Sequence, residues 1–253
     1  MASAHKPNAV AVERAFAILE LLDTSKRGWN ISEMSRKLSI PKSTTHVLVL
    51  TLERLGYIRR YRSTRRYQLS LKIFGLGREV LKTMPLPELA LPHMRWLVEE
   101  TKLTAHLGIL EKNHVVFIQK VDGPSMIKFD TYIGKRSHLH CTGLGKSLLA
   151  FQSDEVLRAL LSNHSFHRFT DKTIASWEAF RKELSKVRQL GYSMDDEEEE
   201  LGVRCLASPI LTASGETLAA VSVTGTTSQI RAEEAKKLGT LVRQAAARIT
   251  ASV

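Results

Sequence analysis

Five consecutive residues, Lys42, Ser43, Thr44, Thr45 and His46, join a cation to short hydrogen-bonding side chains directly after Pro41. Proline is well tolerated in the first turn of a helix, so these groups stand at a helix start. Free N–H groups and a partial positive charge at such an end suit contact with phosphates and base edges. Shortly after, Arg59, Arg60, Arg62, Arg65 and Arg66 crowd a short stretch with guanidinium groups, which fit phosphates or the minor groove. A basic run alone reads equally well as a solvated surface. Its place beside this helix start is what points to nucleic acid.

A second set lies further along. Gly143-Leu144-Gly145-Lys146-Ser147 has the tail of a phosphate-binding P-loop, but the first glycine of that motif would fall on His140, which excludes it. Thr142 can instead cap a helix whose first N–H groups, unscreened at Gly143 and Gly145, hold a carboxylate; a merely glycine-tolerant helix start is the plainer reading. Asp195 to Glu200 are six consecutive acids, read as a solvated loop at Glu198, Glu199 and Glu200. His138, His140, Cys141 and Cys205 could be assembled into a zinc site. In a regular strand Cys141 would face away from the two histidines, and no ligand spacing recurs, so neither metal nor cofactor is expected. A Cys–His catalytic pair is disfavoured too, since a lone buried thiol is inert. The chain reads as a non-enzyme.

The elements that must carry these groups follow from periodicity. Ile31, Met34 and Leu38 form one face of a short helix, and Ser39-Ile40-Pro41 interrupts it. A second helix from Pro41 has its simplest buried stripe at Leu48, Leu52 and Leu55, with Gly56 as its stop. Strands at 57–61 and 67–69 flank a polar turn. Helix, turn, helix and basic hairpin make a winged helix-turn-helix. An amphipathic helix at 9–24 precedes it, and a helix at 71–83 leaves it, closed by Met84-Pro85-Leu86-Pro87. A helix at 89–101 follows, with Pro92 in its first turn. Strands are expected at 105–110, 114–121, 126–133, 203–211 and 218–226, and helices at 142–151, 154–161, 176–190 and 231–249. Consecutive hairpins with helices packed to one side describe an α+β domain on an antiparallel sheet.

Composition separates the two parts. The 253 residues carry a formal charge of +11. Residues 1–75 hold 14 Lys and Arg against 5 Asp and Glu, a net of +9, whereas residues 76–253 hold 23 against 21. The basic excess is thus amino-terminal, as expected of a nucleic-acid module beside a near-neutral partner. The domains read as 1–75 for DNA binding, 76–90 as a linker helix, and 91–253 for a second function, with a loose tail over 1–8. Two cysteines, no leader-like apolar core and no membrane-length stretch lead us to expect a cytoplasmic protein.

Several stretches resemble the isocitrate lyase regulator (IclR) family of bacterial transcription factors. They are Gly28-Trp29-Asn30-Ile31-Ser32-Glu33-Met34, Ile40-Pro41-Lys42-Ser43-Thr44, Leu55-Gly56-Tyr57-Ile58 and Tyr67-Gln68-Leu69. Thr142 to Lys146, Gly191 to Glu198 and Gly202 to Ala207 match in the same order. The resemblance implies a GAF-like second domain that binds a small-molecule effector, and an assembly that is a dimer or a dimer of dimers. It implies operator DNA as the partner and control of catabolic genes as the task. It places Asp195 in the effector pocket beside Cys205, Ser222 and Thr224, with Thr142, Gly143 and Leu144 at the anion-binding helix start and Met126 and Phe129 as apolar walls. Ser222 and Thr224 would share one strand face. That set suits a small organic acid, and Asp195 would repel a second carboxylate beside it. The sequence departs from the family at Val47, where many members have an arginine; valine reads no guanine but can touch a thymine methyl. A metal-binding protein or enzyme merely tethered to nucleic acid is the alternative.

Overall fold

The computed structural model describes residues 9–162 and 164–253. The expected tail at 1–8 lies outside them. Two compact units meet at the Thr83–Met84 peptide.

The first unit is built from α1 (Val10–Asp23), α2 (Ile31–Leu38), α3 (Lys42–Arg54), the hairpin β1 (Ile58–Arg60) and β2 (Tyr67–Leu69), and α4 (Leu71–Lys82). Its core gathers Ile18, Leu22, Met34, Val49, Leu52, Ile58 and Tyr67. A capping box opens α2: the Asn30 side chain accepts from Glu33 N–H at 2.9 Å, and Glu33 accepts from Asn30 N–H at 3.0 Å. Ser39, at φ 55°, ends that helix one residue before the Ile40-Pro41 step. Gly56 stands just past α3 at φ +81°, the conformation its expected role as a stop requires. The buried stripe of α3 is Thr45, Val49 and Leu52, not Leu48, Leu52 and Leu55. Leu48 is half-buried and Leu55 exposed, because the inward face begins at a threonine whose hydroxyl donates to Pro41 O at 3.1 Å. No residue of α4 is buried, and Leu71, Phe74, Leu76 and Val80 stay exposed.

The second unit holds a six-stranded antiparallel sheet ordered β5-β4-β3-β8-β7-β6. Its strands are β3 (Thr104–Glu111), β4 (His114–Val121), β5 (Arg136–Ser137), β6 (Ser193–Asp196), β7 (Val203–Leu211) and β8 (Thr217–Thr226). Its helices are α5 (Leu86–Thr101), α6 (Gly143–Ala150), α7 (Asp154–Leu161), α8 (Trp177–Leu190) and α9 (Ala235–Thr250). In β8 every residue from Ala219 to Gly225 is buried, so the sheet is covered on both faces rather than on one. Val115, Phe117, Ala207 and Ala220 pack with α6, α7 and α8 in one cluster; α5 and α9 contact each other and the sheet through β3 and β7.

Three expectations change here. Helix α5 starts at Leu86, which puts Pro92 in its interior. Residues 126–133 form no strand: their stretch of backbone takes hydrogen bonds from lysine side chains instead of a neighbouring strand. Lys120 donates to Thr131 O at 2.8 Å and Lys135 to Asp130 O, while Lys128, inside the stretch, reaches out to Gly123 O at 3.0 Å. Strand β6, which pairs Asp195 with Cys205, was not foreseen.

Candidate functional site

The exposed face of α3 carries Lys42, Ser43, His46, Val47 and Leu50, with Thr44 half-buried beside them. Val47 is 62% exposed at the centre of that face. Thr45, counted above with the DNA-reading groups, is fully buried and belongs to the core, its hydroxyl turned back on Pro41 O. On the hairpin, Arg59, Arg60, Arg62 and Arg65 are exposed, and the Arg59 guanidinium lies 4.9 Å from the Tyr61 ring centroid. Arg66 differs from them. It grips Glu33 through two nitrogens at 2.7 Å each and donates to Gly28 O at 2.8 Å, so it braces the hairpin against α2. That grip holds the Glu33 carboxyl below its ordinary range.

In the second unit one cavity of about 700 Å³, its open mouth included, collects most of the expected effector residues: Phe129, Thr142, Gly143, Leu144, Asp195, Cys205, Ser222 and Thr224. Register explains the convergence. Asp195 pairs with Cys205 and Cys205 with Thr224, while Ala207, Ser222 and His106 form the adjacent row. Alternate residues share a face, so both rows look toward α6. Met126 is the exception, 98% exposed and outside the cavity lining, because residues 126–133 are not the strand that would have aimed it inward.

The α6 start is built for an anion. Thr142 caps it, accepting from Gly145 N–H at 3.0 Å and donating to His138 O at 2.6 Å, so its own hydroxyl is committed. The N–H groups of Gly143 and Leu144 have no acceptor within the helix. Gly145 is glycine for another reason than access: a Cβ there would stand 2.3 Å from Leu139 O. Ser222, 1% exposed, has a hydroxyl without a hydrogen-bond partner among the described residues. Cys205 Sγ lies 2.7 Å from Thr224 Oγ1, and burial pushes its thiol well up.

Two matches cover the chain. Residues 11–62 match the IclR helix-turn-helix domain, and residues 78–251 match the bacterial transcriptional regulator IclR C-terminal domain. The chain belongs to the IclR family. Among its relatives is the HTH-type transcriptional regulator KdgR of Escherichia coli, 33% identical over 249 residues, or 98% of this chain and 94% of that one. Another is the acetate operon repressor of Salmonella typhimurium, 29% identical over 242 residues, or 95% of this chain and 88% of that one. The crystal structure of the Thermotoga maritima IclR superposes with a TM-score of 0.76 at 27% identity, covering 96% of this chain and 98% of that one. The protein is therefore a DNA-binding transcriptional regulator with an effector-binding domain, not an enzyme. No helix among the described residues is long and apolar enough to cross a membrane.

In this IclR-family chain the solvated loop expected at Glu198, Glu199 and Glu200 holds only for Glu200, which is exposed; Glu198 is buried and Glu199 half-buried. Lys146, fully buried on α6, pairs with Glu198 and donates to Met194 O at 2.7 Å. Glu199 accepts from Ser137 Oγ at 2.8 Å, Asp196 from Arg204 at 2.5 Å, and Glu197 from Lys172 at 2.6 Å. Thr170 and Thr173 donate to the backbone carbonyls of Glu197 and Glu198. Asp195, 3% exposed, accepts from Glu198 N–H at 2.8 Å, yet burial drives its pKa up to about 8, with Glu198 adding to the rise. The run is tied down by partners along most of its length, and Asp195, Glu199 and Glu200 line the cavity. His138, His140 and Cys141 lie outside any strand, and the described residues contain no group of three or more ligands placed to hold a metal.

Cavity residues that the sequence did not disclose include His106, Phe117, Asp130, Thr131, Lys135 and Val203. For His106 a signal existed: it sits two residues from Thr104 and from Gly108 on the same face of an otherwise apolar strand. That pattern shows a polar group in the interior without saying what it meets.

Proposed function

We propose that this regulator senses a small organic acid in the cavity of its second unit and thereby changes its affinity for operators of catabolic genes. The observation that carries the reading is the buried, unpartnered Ser222 hydroxyl in the same cavity as the Gly143 and Leu144 N–H groups. A buried hydroxyl left unpaired costs free energy that a ligand oxygen would recover. Phe117, Phe129 and Val203 supply apolar wall for a short carbon chain. With its pKa near 8, Asp195 is mostly protonated at neutral pH, so it can donate to a ligand oxygen. The repulsion it was expected to exert on a second carboxylate applies only in more alkaline solution. The acetate operon repressor among the relatives is named for an operon of carboxylate metabolism, in keeping with this class of ligand.

Operator contact is assigned to Lys42, Ser43, Thr44 and His46 for bases and nearby phosphates, and to Arg59, Arg60, Arg62 and Arg65 for the backbone or minor groove. The exposed apolar side of α4 and the groove lined by Phe16, Leu19, Tyr57 and Ile73 support self-association as a dimer or dimer of dimers on a two-fold operator.

The experiment is a titration of operator affinity against a panel of short carboxylates, including acetate, lactate and benzoate. Wild type, Ser222→Ala and Asp195→Asn are compared. The wild type should respond to at least one acid, and Ser222→Ala should lose the response while keeping effector-free operator binding. A response of equal size in Ser222→Ala would place the sensor elsewhere.

A further inference from the structure

One wall of the cavity, residues 129–135, contributes Phe129, Asp130, Thr131 and Lys135 to its lining. It belongs to no strand: Lys120 and Lys135 hold its main chain at Thr131 O and Asp130 O, and at its far end Gly134 N–H donates to Phe117 O at 2.7 Å while Lys135 O accepts from Phe117 N–H at 3.1 Å. A side chain from the cavity floor also reaches it. His106, on β3 and 1% exposed, places Nε2 2.8 Å from Thr131 Oγ1. Its Nδ1 lies 3.4 Å from Thr224 Oγ1, and Thr224 in turn touches Cys205 Sγ at 2.7 Å. The edge of Phe117 packs on the imidazole at 5.1 Å between centroids. Four side chains from β7, β8, β3 and the wall thus form one continuous chain of polar contacts.

We infer that His106 is a positioning residue that fastens the 129–135 wall to the cavity floor through Thr131 and makes that fastening depend on the state of Thr224. Its meaning for effector sensing rests on the cavity being the effector site; the fastening itself does not. Both partners of the ring are hydroxyls, and each can donate or accept. The ring is neutral, its pKa lowered to about 3 by burial, with Lys120 adding to the effect. A neutral imidazole has one N–H, so the chain runs in one of two senses. In the first, Thr224 donates to Nδ1, and Nε2 donates to Thr131. In the second, Thr131 donates to Nε2, and Nδ1 donates to Thr224. A ligand oxygen that takes the Thr224 proton imposes the second sense, and the Thr131 hydroxyl changes from acceptor to donor. Occupancy of the floor is then registered at the wall without any backbone movement.

The test uses the full chain without ligand, so its failure is distinct from failure of the effector reading. Variants are Thr131→Val, which keeps the shape and removes the hydroxyl, Thr131→Ser, which restores it, Thr224→Val and His106→Phe. The first readout is trypsin cleavage after Lys128 and Lys135 relative to cleavage elsewhere. Thr131→Val and His106→Phe should raise it about fivefold to tenfold, the factor one net hydrogen bond carries in a local opening equilibrium. Thr131→Ser should return it to the wild-type rate. The second readout is the ¹⁵N chemical shifts of the His106 ring nitrogens. Thr224→Val should hold the proton on Nε2, and Thr131→Val should hold it on Nδ1. Wild-type cleavage in Thr131→Val, or one tautomer common to Thr224→Val and Thr131→Val, would overturn the inference even if His106→Phe failed to fold.

Discussion

Glu33 and Arg66, thirty-three positions apart, are joined by two parallel hydrogen bonds of 2.7 Å, and the same guanidinium also holds Gly28 O. An arginine in the middle of a basic hairpin is thereby assigned to architecture, while its neighbour Arg65 stays exposed. The two should separate experimentally. Arg65→Ala should leave thermal stability unchanged and lower the slope of log affinity against log salt by about one unit, as loss of one phosphate contact does. Arg66→Ala should destabilise the first unit by about 1 kcal/mol, since the pair is partly solvated. Because the Glu33 carboxyl is held low, the stabilisation is present above its unfolded pKa and is lost as pH falls through the folded value. In thermal melts between pH 3 and pH 7, the gap between Arg66→Ala and wild type should close toward acid.

Val47 occupies the centre of the exposed face of α3, flanked by Leu50. Two apolar side chains there fit thymine methyls rather than guanine edges. Val47→Arg should shift operator preference toward guanine at one position in each half-site, by about 1–3 kcal/mol of discrimination, the range of a bidentate contact. Selection of bound fragments from a random library would show it. An unchanged preference would mean that this face does not lie in the major groove.

Asp195 predicts an unusual pH dependence. Its folded pKa, about 8, lies above the unfolded value of an aspartate. The folded state therefore binds the extra proton, and this contribution to stability is present below the unfolded pKa and is lost as pH rises toward 8. Asp195→Asn removes the loss. Its melting temperature minus that of wild type should grow between about pH 4 and pH 8, then level off. A constant difference across that range would show that the carboxyl is ionised in the folded protein.

Lys146 and Glu198 form a buried pair through Glu198 Oε1, and Glu198 Oε2 has no hydrogen-bond partner among the described residues. Removing Lys146 strands Glu198, whereas Lys146 itself has a second carboxylate, Glu183, at 3.6 Å. Lys146→Met should cost about 3–5 kcal/mol by denaturant unfolding, the range for a buried charge left alone. Adding Glu198→Gln to it should return part of that loss. Strict additivity would mean that the two residues do not interact.

Much of this architecture was legible in the chain, and the failures have definite causes. Helix α7 and strand β7 lie where their patterns put them, because their own periodicity is strong and their ends carry turn residues. The α3 stripe was misassigned because its first member, Thr45, is polar by type and apolar by position. Residues 126–133 have the composition of a strand but no neighbour, and a strand is defined by its neighbour. Strand β6 is only Ser193–Asp196 with two acids, and its existence depends on pairing to β7. In the cavity, Ser222 and Thr224 could be placed on one face by counting. His106 could not be tied to Thr131 or Thr224, since nothing local relates residues 106, 131 and 224. The partners of the acidic run were hidden likewise, for Lys146 lies fifty-two positions from Glu198.

The position of β3 between β4 and β8 has a consequence for synthesis. His106 emerges from the ribosome well before the strand that covers its open side, Thr217–Thr226, which follows only after β4 to β7 and the helices between them. The DNA-reading unit ends at Thr83 and can fold alone long before, from contacts close in sequence. The sheet of the second unit must wait with one side of β3 unpaired until β8 arrives, and the floor of the cavity closes only then. A nascent chain is thus equipped to meet DNA well before it can sense anything.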